Sequence, residues 1–286
     1  MNTAHRPPED MDGEWERKGR CVIASGRRPH FSPDADMLAI QRRRIAGHIA
    51  THGQNSNALV LGATPELMDL AIQAGLRVTS VDCSPTMLEA AARRRETTDP
   101  AREAHILGNW LDMNMIGDGT IDIVLGDASL NNLRHRQMPV VLDEIARVTH
   151  KESMVSLRQI VLPDEDAPEY GFQPALAALR AGKISLHEFD RVLRFYSFNA
   201  RALDPEQHRL DARRVFAAIR EKHAAGELSA SEYDFLIGRN SEVAHTVYPL
   251  SEQTRLLEHL GSCVVEQLPE TCFFRRLMAH FTVRVR

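Results

Sequence analysis

No CxxC pair occurs among the four cysteines Cys21, Cys83, Cys263 and Cys272, which argues against a zinc site and against a disulfide framework. No apolar run approaches the roughly 18 residues of a membrane helix, because charge interrupts the longest stretches. The first thirty residues are charged throughout, so no secretory signal is expected and the cytoplasm is the expected location. Aromatics are only 6% and the net charge is −4, which supplies no electrostatic reason to expect nucleic acid as a partner. What remains is ordinary globular composition: 286 residues, 43% hydrophobic and 26% charged. That excludes a wholly disordered or fibrous chain and suits one elaborated domain, or two, around a sizeable core. A soluble protein acting on something small is the class left standing.

The chain up to about Pro29 mixes proline, glycine and both charges, and reads as an irregular arm with a short helix around Trp15. Ser32 then suits an N-cap, with Pro33 at the first helical position, and an amphipathic helix runs through Met37, Ile40, Ile45 and Ile49. The character changes at Asn57. Asn57-Ala58-Leu59-Val60-Leu61 is a short apolar run closed by Gly62, as in a strand buried on both faces. Helices from Pro65 to about Ala74, from Ser84 through Arg95 and over Met138 to Val148 alternate with strands at Arg77 to Asp82, Ala104 to Leu107, Ile121 to Leu125 and Met154 to Val161. That alternation predicts a parallel sheet with helices on both faces. It stops after Pro163. Residues 164–245 read as helices broken at Gly171, Gly182, Asp204-Pro205 and Gly226, an inserted helical cap. Ser251 then suits the cap of a further helix, and Cys263 to Leu268 and Leu277 to Val285 read as an antiparallel hairpin at the sheet edge. The expected organisation is an arm and helix over 1–55, an α/β core over 56–163 and 246–286, and the cap over 164–245.

The chemistry concentrates in Leu59-Val60-Leu61-Gly62-Ala63-Thr64-Pro65-Glu66. A buried strand runs through a tight turn straight into a helix, where glycine permits close approach and the helix start offers free N–H groups. Asp82 stands 20 residues after Gly62, at the end of the next strand, where a carboxylate accepts hydrogen bonds from a ribose. The combination predicts an adenosine-like cofactor across the carboxyl ends of the strands. A dinucleotide needs G-x-G-x-x-G, yet Thr64 and Leu67 occupy the second and third positions, which weakens a nicotinamide cofactor.

These residues resemble the class I S-adenosylmethionine-dependent methyltransferases, in a branch whose first motif reads Leu-Gly-x-Thr-Pro-Glu. The matching stretches are Leu61 to Glu66, Val78 to Met87, Gly108-Asn109-Trp110 and Ile121 to Asp127, together with Arg28 to Asp34 before the sheet. The resemblance implies a Rossmann-like seven-stranded mixed sheet whose last strands form an antiparallel hairpin. It further implies that Gly62, Ala63 and Thr64 surround the methionine part of the cofactor and that Asp82 binds the ribose. Cys83, Ser84 and Met87 would flank the nucleoside, Asn109 would contact the adenine amine and Trp110 would pack on its ring. Gly126, Asp127, Ala128 and Ser129 would lie beside the methylsulfonium. Many members carry an acid in the first strand, where Val60 stands here, so Glu66 is the candidate for the cofactor's ammonium; the alternative is that it complements the helix dipole.

Methyl transfer by direct displacement mainly needs alignment and exclusion of water. Asp127 is the candidate base where the acceptor is still protonated, its alternative being a turn-forming aspartate. Arg158, His187, Arg194, Tyr196 and His245 are the polar candidates for holding a substrate, Arg158 with the geometry to hold a carboxylate. No metal is called for. The expected activity is transfer to O or N of a small metabolite, with no nucleic acid or membrane partner and with the cap helices offering a homodimer contact. The competing readings are a regulator that binds S-adenosylmethionine without turnover, a nicotinamide oxidoreductase, and a helical interaction module.

Overall fold

The computed structural model describes residues 9–25, 32–238 and 243–286. Seven strands make the main sheet: β1 (Asn57–Leu61), β2 (Arg77–Asp82), β3 (Glu103–Leu107), β4 (Ile121–Asp127), β5 (Thr149–Leu162), β6 (Gly261–Gln267) and β7 (Met278–Val285). Their order is β6-β7-β5-β4-β1-β2-β3. The five strands β1 to β5 run parallel, while β7 is antiparallel to β5 and β6 antiparallel to β7. This is the mixed sheet with a C-terminal hairpin that the sequence predicts. A two-residue strand, Tyr248–Pro249, adds a parallel pairing at the end of β5.

Alternation along β1 explains how the sheet is covered. Ala58 and Val60 face one hydrophobic cluster, with Ile45 of α2 (Ala35–His52) and the apolar side of α3 (Pro65–Gln73). Leu59 and Leu61 face the other, with Val141, Leu142 and Ile145 of α5 (Met138–Val148) and Leu257 of α11 (Leu250–Glu258). Side chains of a strand alternate between faces, so the run of four apolar residues Ala58 to Leu61 is consistent only with burial on both. Proline opens α3 and α4 (Pro85–Arg94) directly after β1 and β2. Each chain reversal therefore falls at the carboxyl edge of the sheet.

Between β5 and the small strand at Tyr248 lie α6 (Phe172–Arg180), α7 (Leu186–Val192), α8 (Asn199–Ala202), α9 (Ala212–Ala224) and α10 (Ala230–Ile237). Phe189, Phe195, Phe216 and Ile219 from this segment share one buried cluster with Met37 and Ile40 of α2, Ile160 of β5 and Met278 of β7. The segment's core is therefore continuous with one end of the sheet. Among the described residues no helix is long and apolar enough to cross a membrane.

Four local expectations are corrected. The short helix expected around Trp15 in the arm is longer than expected, since α1 (Glu9–Ser25) has 17 residues. Its contacts are tertiary: Gly19 packs so closely on Thr86 that a Cβ there would stand 2.4 Å from the threonine hydroxyl oxygen. The next helix is capped by Asp34, whose Oδ1 accepts from the N–H of Met37, and not by Ser32. Residues 164–245 are not purely helical, since Leu203–Asp204, Arg209–Leu210 and His245–Thr246 form a small three-stranded antiparallel sheet. Ser251 sits inside α11 and donates its hydroxyl to Asp164 at 2.7 Å, leaving Pro249 at the cap position. Arg28 to His30 and Phe31, part of the resemblance, lie outside the described residues.

Candidate functional site

A cleft of about 160 Å³ opens at the carboxyl ends of β1, β2 and β4. Gly62 forms its floor. Its φ of +104° lies in the region that favours glycine, and a Cβ would stand 3.3 Å from the Trp110 ring and 3.7 Å from Asp82 Oδ2. The carbonyl of Val81 gathers two donors there, the N–H of Gly62 at 2.9 Å and the indole N–H of Trp110 at 2.6 Å. Trp110 is thus fixed across this turn.

Asp82 closes the same turn. Its Oδ2 accepts from the N–H of Ala63 at 2.9 Å and its Oδ1 from the N–H of Ser84 at 2.8 Å. Burial pushes its carboxyl up to about 6, opposed by the backbone N–H groups of Ser84, Ala63 and Cys83 and assisted by the charge of Glu16. The two oxygens offer about four acceptor sites, so three backbone donors leave room for a further one such as a ribose hydroxyl.

The loop after β4 forms the opposite lip. Ser129 donates its hydroxyl to the Leu61 carbonyl at 2.6 Å and accepts from the N–H of Asp127 at 3.2 Å, latching the end of β4 to the end of β1. Ala128 between them has φ +52°, a left-handed conformation that costs a non-glycine residue on the order of 1–3 kcal/mol and that recurs in functional loops. Its N–H donates to the Arg158 carbonyl at 2.7 Å. Gly126 leaves no room for a side chain, since a Cβ would stand 2.7 Å from Leu157.

Of the residues singled out in the sequence, Gly62, Ala63, Thr64, Glu66, Asp82, Cys83, Met87, Asn109, Trp110, Asp127 and Ala128 all line the cleft. Ser84 stands just behind it as the cap of α4, donating its hydroxyl to Glu16 at 2.7 Å and accepting from the N–H of Met87. Asn109 Oδ1 accepts from the N–H of Leu111 at 3.0 Å, so its carbonyl shapes its own turn. Glu66 is ion-paired with Arg94 at 2.7 Å, which adds a cation to the place where a lone carboxylate was expected.

The catalytic and substrate candidates need correction. Asp127 is bonded to the Arg158 guanidinium, and both side chains are nearly inaccessible. Arg158 lies in β5 with Nη1 against the sulfurs of Met37 and Met278; its partner is Asp127, which takes up the charge intended for a substrate carboxylate. His187 is exposed and meets Phe235 edge-on at 5.2 Å between ring centres. Tyr196 accepts from the N–H of Ala167 at 2.8 Å and packs on Tyr170. Neither reaches the cleft.

The cleft also has walls that the motifs do not mark. Trp15 and Lys18 reach it from α1, Asn132, Leu133 and Gln137 from the segment after β4, Ile160 from β5 and His245 from the small sheet. Trp15 and Lys18 sit in a stretch without period, and no sequence signal marks them. His245 stands among the polar candidates of the sequence, but its place follows from the fold: Asn131 donates to the carbonyl of the adjacent Thr246 at 2.8 Å and to that of Ile160 at 2.9 Å. Among the described residues, no group of three or more His, Cys, Asp or Glu side chains could hold a metal ion.

Residues 60–152 match the family model described as a methyltransferase domain. The match covers about a third of the chain, and the sheet order above agrees with a Rossmann-like mixed sheet. No curated protein matches the chain. Among solved structures, one similar protein, from Rhodobacter sphaeroides and described as a Zn-dependent alcohol dehydrogenase, is 15% identical over 98% of this chain and 100% of its own, with a TM-score of 0.57. The PH0226 protein of Pyrococcus horikoshii is 12% identical over 93% and 99%, with a TM-score of 0.53. The 1,6-didemethyltoxoflavin-N1-methyltransferase of Burkholderia thailandensis, solved with 1,6-didemethyltoxoflavin and S-adenosylhomocysteine, is 12% identical over 100% and 93%, also at 0.53. At these identities the likeness is one of fold.

Proposed function

We propose that the protein transfers a methyl group from S-adenosylmethionine to oxygen or nitrogen of a small molecule, with residues 164–245 closing the acceptor side of the cleft. The observation that carries this reading is the junction of Gly62, Asp82 and Trp110: a glycine turn, a carboxylate with acceptor capacity to spare and an indole converge at the carboxyl ends of β1 and β2. Asp82 would accept the ribose hydroxyls and Trp110 would flank the adenine. Glu66 and Arg94 line the cleft as a pair of opposite charge, suited to the ammonium and carboxylate of the cofactor's amino-acid end. The cofactor supplies a sulfonium methyl that needs no further activation. The chain's own work is to hold the two reactants in line and to keep water out, for which Trp15 and Lys18 of α1 provide cover. With Asp127 committed to Arg158, a general base is not required of the loop after β4 if the acceptor arrives deprotonated or as a neutral amine.

Calorimetric titration with S-adenosylhomocysteine, beside NAD, tests the reading. Micromolar binding of the former alone, weakened by about 1–3 kcal/mol in Asp82→Ala, is the expected result. Binding of NAD in its place would return the oxidoreductase reading to the front.

A further inference from the structure

Lys18 and His245 line the main cleft and also a second, smaller cavity of about 20 Å³ behind it. Arg194, Phe195 and Phe216 are among its other walls. A space of that size takes one small polar group or a water molecule. His245 Nδ1 is buried at this junction with no hydrogen-bond partner, while the Phe195 ring stands edge-on at 5.7 Å between centres and holds the imidazole plane. The backbone beside it is fixed through Thr246 and Asn131. A buried polar atom on a rigid frame, left without a partner at the mouth between two cavities, marks a place where a ligand atom completes the set.

The charges around it have one sign. Lys18 from α1, Arg194 from the turn after α7 and Arg209 from the small sheet all act on His245, and the carboxylate in this group is Asp190, bound to Arg194 at 2.7 Å. Resting on the methyl-transfer reading above, we propose that this junction anchors the methyl acceptor by a carboxylate, with Lys18 Nζ and His245 Nδ1–H as the donors and the acceptor's body lying toward the cleft. Burial, followed by those three cations, pulls the imidazole down to about 3, so His245 stays neutral and serves as a hydrogen-bond donor. It is a specificity residue, and the cations around it disfavour the second proton that a base would have to take.

The test uses the whole chain saturated with S-adenosylhomocysteine and a panel of aromatic and aliphatic carboxylates, each paired with its primary amide, followed by ligand-observed NMR. The carboxylates are expected to bind at least tenfold more tightly than their amides. That preference should fall to within twofold in Lys18→Gln and in His245→Phe, and persist in part in His245→Asn, whose amide still donates. Equal response of acids and amides, silence of both series, or a preference untouched by the Lys18 and His245 substitutions would each overturn the proposal. S-adenosylhomocysteine binding is read in the same tubes. Its retention shows that each variant is folded and that only the acceptor inference is at stake; its loss in the wild type would remove the methyl-transfer reading itself.

Discussion

The carboxamide of Asn131 ties Thr246 to Ile160. Its Nδ2 donates to both carbonyls, at 2.8 and 2.9 Å, and its Oδ1 accepts from the Ile160 N–H at 2.9 Å. One buried side chain therefore joins the loop after β4, the end of β5 and the strand carrying His245. Asn131→Ala would orphan three backbone groups, at about 1–3 kcal/mol for each that water cannot reach. A fall of about 2–3 kcal/mol in urea unfolding is expected; Asn131→Asp, which loses the donors but keeps an acceptor, should not restore it.

Asp82 predicts a pH dependence for cofactor binding. Burial raises its carboxyl to about 6, and only the ionised form offers all its acceptor sites to a ribose and to the backbone N–H groups at once. Affinity for S-adenosylhomocysteine should be constant above pH 7 and fall as the pH drops through 6, whereas Asp82→Asn should be weak and flat across that range. The raised value also means that the ionised form is disfavoured by folding, so this group adds stability below about pH 4 and loses it as the pH rises through 6. Titration calorimetry from pH 5 to 8 would separate the two variants.

Asp127 and Arg158 form a buried pair, and removing one partner strands the other. Asp127→Leu or Arg158→Leu alone should cost about 3–5 kcal/mol, while the double substitution should recover much of that loss. Chemical denaturation of the four forms gives the cycle. Additive losses would show that the pair is not coupled.

The Glu16 carboxylate holds α1 on the start of α4, accepting from the Ser84 hydroxyl at 2.7 Å and the Thr86 N–H at 3.5 Å. Glu16→Ala should expose α1 to limited proteolysis and weaken S-adenosylhomocysteine binding severalfold, with little change in the unfolding midpoint of the sheet. A cleavage rate equal to wild type would contradict this docking.

His280 lies in β7 with both ring nitrogens buried and unpartnered. Burial, then the charges of Arg158, Arg44 and Arg43, hold its imidazole down at about 3. An unfolded histidine takes its proton near 6.5, so stability from this group is present above that pH and drains away as the pH falls toward 3. His280→Phe should flatten that acid limb, as measured by thermal unfolding between pH 7 and 4.

The sheet was legible because its cause is local. Four apolar residues ahead of Gly62 can be covered on both faces by only a few arrangements, and the spacing of Asp82 from Gly62 follows from one strand–helix–strand unit. The residues proposed to face the cofactor from that unit line one cleft. The walls proposed for the acceptor were not legible, because their residues meet through long-range packing. Lys18 comes from a charged helix whose docking depends on Gly19 and Thr86, and His245 from a two-residue strand paired with Leu210. Arg158 was correctly placed on β5 but misread in role, since nothing in its neighbours reveals that Asp127 of the adjacent strand faces it. Tyr196 and His187 have the composition of binding residues and serve the packing of α7 and its surroundings.

The chain has two tryptophans, Trp15 and Trp110, and both line the cleft. Trp110 stacks over the glycine floor and Trp15 rides on the covering helix, with the Lys18 ammonium 4.2 Å above its ring. All of the indole emission of this molecule therefore originates within the site. Unlabelled protein in a fluorimeter reports arrivals and departures there directly, and a stopped-flow trace could resolve cofactor entry from the settling of α1 as two optical phases.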